Sequence, residues 1–159
     1  MSMFQMETIQ VIDAPAEAIY AVLADYHVGH NAILPRPYFK EMTVLEGGYG
    51  AGTRLAIKMN IFGKEYTFNQ VVSEPEPGRI IKDTDINTGE GAAFILDPIG
   101  DGQRTKVTIL SEFTKETGFA GIMQRLITPP ISRFVLKKEL RNLAEYVANQ
   151  AQTNSLATN

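Results

Sequence analysis

A chain of 159 residues, 44% hydrophobic and 21% charged, has the size and make-up of one ordinary globular domain, which excludes a disordered chain and a coiled coil. A formal net charge of −3 and a pI near 5.4 argue against a nucleic-acid or anionic-membrane partner, and the basic Arg133, Lys137, Lys138 and Arg141 fall opposite leucines as a solvated helix face. Cysteine is absent, so disulfides, thiolate metal sites and cysteine nucleophiles are excluded together. The start, MSMFQMETIQV, has no cationic region leading into an apolar run, and no stretch reaches the roughly 18 apolar residues of a membrane span, so a cytoplasmic location is expected.

Residues 1–150 read as one domain and AQTNSLATN, 151–159, as a disordered tail. The first element is a strand, Phe4 to Ile12, with apolar side chains at Phe4, Met6, Ile9 and Val11. Asp13-Ala14-Pro15 then starts a helix, because proline's missing N–H is no loss in a first turn and Glu17 complements the helix dipole. Ile19, Val22, Leu23 and Tyr26 give that helix one apolar face. HVGHNAILPRPY follows as a loop, in which Gly29, Pro35 and Pro37 leave room for one short helical turn around Asn31 to Leu34.

From Tyr38 the apolar period changes to two. The strands expected are Tyr38–Glu46, Thr53–Ile61, Lys64–Glu74, Arg79–Ile86, Gly91–Asp97 and Thr105–Phe113, separated by GGYGAG, Phe62-Gly63, PEPG, NTGE and PIGDGQ. Joins this short make neighbouring strands antiparallel, since parallel pairing needs a crossover of about a dozen residues or more. The last element is helical, Gly118 to Gln150. Phe119, Met123, Leu126 and Ile127 form one apolar stripe and Leu136, Leu140, Leu143 and Val147 another, with Pro129-Pro130 between them. Two prolines in succession predict a helix broken or kinked into halves, the second sealing the fold and the first lying over a cavity mouth. An antiparallel sheet with one apolar face must bury that face, and only this helix is long enough to cover it.

IQVIDAPAEAIYAVLADY (Ile9 to Tyr26), VVSEPEPGRII and TKVTILSEF together resemble the helix-grip fold of START-type lipid-transfer domains, pollen-allergen-like proteins and the polyketide cyclase/dehydrase group. The resemblance covers nearly all of residues 4–150, with HVGHNAILP standing where many relatives have a Trp-bearing segment. It implies an α+β fold: a curved seven-stranded antiparallel sheet wrapped around a long C-terminal helix, with short helices after the first strand. It also implies a cavity for a small hydrophobic molecule, such as a lipid, an isoprenoid, or an aromatic or polyketide-like compound, between sheet and helix. Members range from carriers and receptors to cyclases and chaperone-ATPase activators.

In the strand pattern, Leu55, Ile57, Met59, Tyr66, Phe68, Val107, Ile109 and Phe113 face inward, joined by Met123, Leu126 and Phe134 from the helix, as a filled core or as a ligand-lined cavity. Gln70 and Ser111 share the inward phase and either fix a ligand's polar end or bond one another. Asp83 and Asp85 project from one face of a strand and are candidates for general acid and base; the isoleucines around them leave the phase undecided and a solvent-facing pair is expected. Glu112 alternates with Ser111 and is expected to point outward. Tyr26, His27 and His30 are placed at the cavity mouth, where a histidine has a proton-transfer or orienting role or sits on an exposed loop. His27 and His30 with Asp25 resemble a fragment of a metal site, but a catalytic metal needs three convergent ligands, so no metal is expected. Nucleotide loops and serine-nucleophile motifs are missing, and GGYGAG leads into a strand, so no cofactor is expected either.

The function expected is a binding or carrier protein for a small hydrophobic molecule. The alternatives are a cyclase/dehydratase-like enzyme that uses Asp83, Asp85 or His27, and a protein-interaction module resembling the chaperone-ATPase activators.

Overall fold

The computed structural model describes residues 2–158. In chain order it has β1 (Met3–Ile12), α1 (Ala16–Ala24), α2 (Gly29–Ile33), β2 (Phe39–Glu46), β3 (Arg54–Ile61), β4 (Lys64–Glu76), β5 (Ile80–Asp85), β6 (Gly91–Ile99), β7 (Arg104–Thr114) and α3 (Gly118–Ala157). The strands form one seven-stranded sheet in the order β1-β7-β6-β5-β4-β3-β2, every pair antiparallel. β2 to β7 are thus a meander, as the short joins require, and β1 closes onto β7 through ten paired positions from Met3↔Thr114 to Ile12↔Thr105. The sheet is curved, and its concave face holds α1, α2 and the second half of α3.

That concave face carries the core. Ile19, Leu23, Leu55, Ile81, Leu96, Val107, Ile109, Leu140 and Leu143 are all 0–1% exposed. The alternation that announces each strand also selects its buried residues: Leu55 and Ile57 in β3, Val72 in β4, Phe94 and Leu96 in β6, Val107 and Ile109 in β7. Tyr26 packs among them, and Thr105 Oγ1 donates 2.8 Å to the Ala14 carbonyl, tying the start of α1 to β7.

Two elements, α2 and α3, depart from expectation. α2 begins at Gly29, two residues before the expected turn, and a side chain there would bring Cβ to 2.7 Å from the Val22 carbonyl oxygen. Glycine therefore lets α2 press against α1, which draws His30 inside. α3 is not broken at Pro129-Pro130 but stays helical through them: proline's fixed φ is itself helical, and the helix carries the lost amide hydrogen bonds and the crowding of the rings against the preceding turn. It also continues to Ala157, past Gln150, since AQTNSLA contains neither proline nor glycine to stop it. No described helix is long and apolar enough to cross a membrane.

Candidate functional site

Between the concave face, α2 and α3 lies a cavity of about 190 Å³. Its walls come from inward residues of four strands: Ile57 and Met59 of β3, Phe68 and Gln70 of β4, Phe94 of β6, and Ile109, Ser111 and Phe113 of β7. Leu34 and Phe39 complete the apolar lining on the side of α2 and β2. At the start of β6 the wall is made of Gly91 and Ala92. A Cβ on Gly91 would stand 2.0 Å from the Asp83 carbonyl oxygen, so the backbone there admits no side chain without moving β5.

The floor is polar. Asp83, expected to face solvent, is 8% exposed and lines the cavity. Its phase follows that of Ile81, the isoleucine that turns inward, while Ile86 is left outside at 54%. What holds it is Tyr26, whose hydroxyl donates 2.6 Å to Asp83 Oδ1. Burial and the neighbouring carboxylate push the Tyr26 hydroxyl far above its ordinary pKa, so it stays a proton donor. The Asp83 carboxyl is itself pushed up by burial, against the opposing pull of His30 and the Tyr26 hydrogen bond.

His30 is 3% exposed and stacked on Tyr26 at 4.5 Å between ring centroids, with its edge toward Phe94. Its Nδ1 lies 2.7 Å from the Leu23 carbonyl oxygen. A carbonyl only accepts, so Nδ1 carries the hydrogen and Nε2 is the nitrogen left facing the interior. Nε2 stands 4.0 Å from Glu139 Oε1, too far for a hydrogen bond. Glu139, on the inner face of α3, is 4% exposed and lines the cavity; it makes no hydrogen bond among the described residues. Burial, with the charge of Asp83 adding to it, pushes its carboxyl up to about 8.

The other expected site residues lie elsewhere. Asp85 is 3% exposed but does not line the cavity: its carboxylate accepts the amides of Asn69, Asn87 and Thr88 and the Thr88 hydroxyl, so it ends β5 and shapes the following turn. His27 is exposed and leans on Tyr49, and Asp25 is occupied by the amides of His27 and Val28. Leu55 is solid core. Tyr66, at the outer end of β4, is exposed and stacked on Phe68. Met123, Leu126 and Phe134 are exposed on the outer face of α3 and do not line the cavity. The inner face belongs to residues such as Gly121, Val135 and Glu139, roughly opposite them at 100° per residue. Glu112, expected outside, is half-buried, reaches the cavity rim, and is held by Lys82 and Gln5, which keep its carboxyl below the usual range. Tyr26 and His30 lie at the floor rather than the mouth. Glu139 is not among the expected site residues, yet its spacing from Val135 and Leu143 marks it as part of a buried row. No three described His, Asp or Glu side chains are arranged to hold a metal ion.

The family model described as "Polyketide cyclase / dehydrase and lipid transport" matches residues 3–148. The chain belongs to this family. No curated protein matches it. Among solved structures it is similar to the solution structure of the KanY protein, with 23% identity and a TM-score of 0.79 over 93% of this chain and 99% of that one. It is also similar to the Zhui aromatase/cyclase of a Streptomyces species, with 21% identity and a TM-score of 0.64 over 95% and 94%. A third neighbour is a point mutant of norcoclaurine synthase from Thalictrum, with 16% identity and a TM-score of 0.71 over 94% and 97%. At these identities the likeness shows the fold, which is the helix-grip fold of this cyclase/dehydrase and lipid-transport family.

Proposed function

We propose that the protein binds a small, largely apolar molecule in the interior cavity, with the polar end of that molecule at the floor formed by Glu139, His30 and Asp83. The observation that supports this most directly is Glu139. Its carboxyl is buried from the outside, makes no hydrogen bond among the described residues and opens on the cavity, so its oxygens are met only by what enters that space. A core selected only for packing would place a leucine there, whereas a cavity that receives a polar group has a use for the acid. The size of the space, about 190 Å³, suits a compact molecule rather than a long-chain lipid. Native mass spectrometry of the purified protein, followed by titration with compact aromatic and isoprenoid alcohols and amines, tests the reading. Saturable binding that is lost when Ala92→Phe fills the cavity is the expected result; no binding by any compound overturns it.

A second reading is favoured by the arrangement of the same floor. Asp83 held by Tyr26, and His30 with Nε2 turned inward beside the Glu139 carboxyl pushed up to about 8, form a set able to take and return a proton during a cyclisation or dehydration. Turnover of a bound ligand that falls at least about a hundredfold in His30→Gln, with ligand affinity kept, distinguishes enzyme from carrier.

A further inference from the structure

The cavity reading leaves the class of ligand open, and the chemistry of the floor narrows it. The described side chains that line the cavity include four carboxylic acids, Asp83, Glu90, Glu112 and Glu139, and no lysine or arginine. Two of the acids are already engaged at the rim. Glu90 accepts the Thr114 amide, and Glu112 accepts from Gln5 and pairs with Lys82. The two deep acids differ. Asp83 takes one hydrogen bond, from Tyr26, and Glu139 takes none. His30 adds a further acceptor, because the hydrogen on Nδ1 is committed to Leu23 and Nε2 faces inward. Against these acceptors the described lining residues offer as donors only the Gln70 amide, the Ser111 hydroxyl and, below about pH 8, the proton of Glu139 itself. The interior is therefore rich in acceptors and poor in donors, and the aromatic rings of Phe68, Phe94 and Phe113 are part of its lining.

An anionic head brought into this space meets two buried acids with no lysine or arginine among the described lining residues. An ammonium meets the reverse: acceptors waiting at its own hydrogens, and ring faces that favour a cation. We propose that the cavity takes a compact apolar amine, its ammonium between Glu139 and Asp83, and excludes the carboxylate of the same shape. This rests on the cavity being a ligand site and names the class of ligand.

A proton balance follows. The floor keeps the Glu139 proton up to about pH 8, and an ammonium placed beside it replaces that proton. The groups facing Glu139 are Tyr26 and His30 from the α1–α2 side, Asp83 from β5, Glu90 from the β5–β6 turn, and Glu112 with Lys82 across the sheet. Of these, Tyr26 stays protonated and Glu112 stays ionised, so neither changes charge over the range that matters. Below about pH 8 the affinity of an amine should rise with pH by up to about tenfold per unit, while that of a neutral alcohol stays flat.

Calorimetric titration of the full chain with phenethylamine, 2-phenylethanol and phenylacetate, at about pH 6 and about pH 8, tests the inference. The expected result at the higher pH is an amine at least about tenfold tighter than the alcohol and a carboxylate without measurable binding. At the lower pH the advantage of the amine over the alcohol should shrink at least about tenfold, and Glu139→Gln should remove that advantage and its pH dependence. Phenylacetate binding as tightly as phenethylamine overturns the assignment of ligand class and leaves the cavity reading intact. So does an amine indifferent to both pH and Glu139→Gln. If none of the three compounds binds, the cavity reading and this inference fall together. Should Glu139→Gln not fold, the order of affinities of amine, alcohol and carboxylate for the unmodified protein still decides the ligand class.

Discussion

The two halves of α3, on either side of Pro129-Pro130, are made of similar residues and live in opposite surroundings. Leu140 and Leu143 are fully buried and Val147 nearly so, locked against α1 and the sheet. Phe119, Ile122 and Leu126 are 55–79% exposed, and Gly121 is the buried one among the residues of that first stretch whose burial is described. An apolar stripe at helical spacing is thus no guarantee of an inward face: burial is a one-way rule, and the chain's own surface can carry large side chains. What separates the halves is what lies beneath them. Under the second half is a packed core. The first half runs on from β7, and none of its described residues lines the cavity that Ile57, Met59, Phe68 and Phe113 help to wall. Glu139 stands where the two regimes meet, on the last inward turn before the leucines begin.

The comparison can be broken by experiment, and the largest effect belongs to that junction. The folded protein holds a proton on Glu139 up to about pH 8, whereas an unfolded chain releases it near the ordinary value of 4.5. Between those values the folded state binds more protons than the unfolded one, so stability is full below about pH 4.5, falls as pH rises, and levels off above about pH 8. Asp83 shifts in the same direction, and Glu112 and Glu74 in the opposite one. Urea unfolding of the wild type against Glu139→Gln isolates the Glu139 contribution: the difference between the two should change by roughly 3–5 kcal/mol across the range, in favour of the variant at high pH. A constant difference would mean that Glu139 is ionised in the fold.

Next in size is the core itself. Leu143→Ala should cost about 3 kcal/mol in the same assay, as a fully buried leucine does when its cavity cannot collapse. Amide hydrogen exchange sharpens the contrast along one helix. Residues 119–128 should exchange at least about tenfold faster than residues 136–147, because few buried contacts hold the first stretch closed. Equal protection on both sides of Pro129 would show the helix opening as one unit. The smallest effect is expected at Leu126→Ser, within about 0.5 kcal/mol of wild type by thermal or urea unfolding, since that side chain is 67% exposed. A large loss there would mean that the outer face is covered by something.

The architecture was legible because it depends on local signals: period two in each strand, turn residues at each join, and an apolar stripe where the final helix meets the sheet. The lining contributed by β3, β4 and β7 followed from the same alternation, and Ile57, Phe68, Ile109 and Ser111 line the cavity as their phase demands. The polar floor was hidden for a different reason. Asp83 has an isoleucine on each phase beside it, and the tie is settled by Tyr26, 57 residues away, through a hydrogen bond that no periodicity records. His30 lies in a segment crowded with glycine and proline, and its burial hangs on the close approach permitted by Gly29. Glu139 sits inside KKELRN, where charge disguises a residue in register with Val135 and Leu143. Polar residues in a cavity are held by contacts distant in sequence, so their placement is the part of a fold that local pattern carries least.

Gly91 and Ala92 give the cavity a property of its own. The space there comes from side chains that are absent along one strand, so its volume is set independently of the core that holds the domain together. At Gly91 the gap is enforced, since any added atom collides with the neighbouring strand. At Ala92 it is adjustable, one methylene at a time. Substitution at this single wall position therefore changes the volume of the cavity, while the acids that line it elsewhere stay as they are.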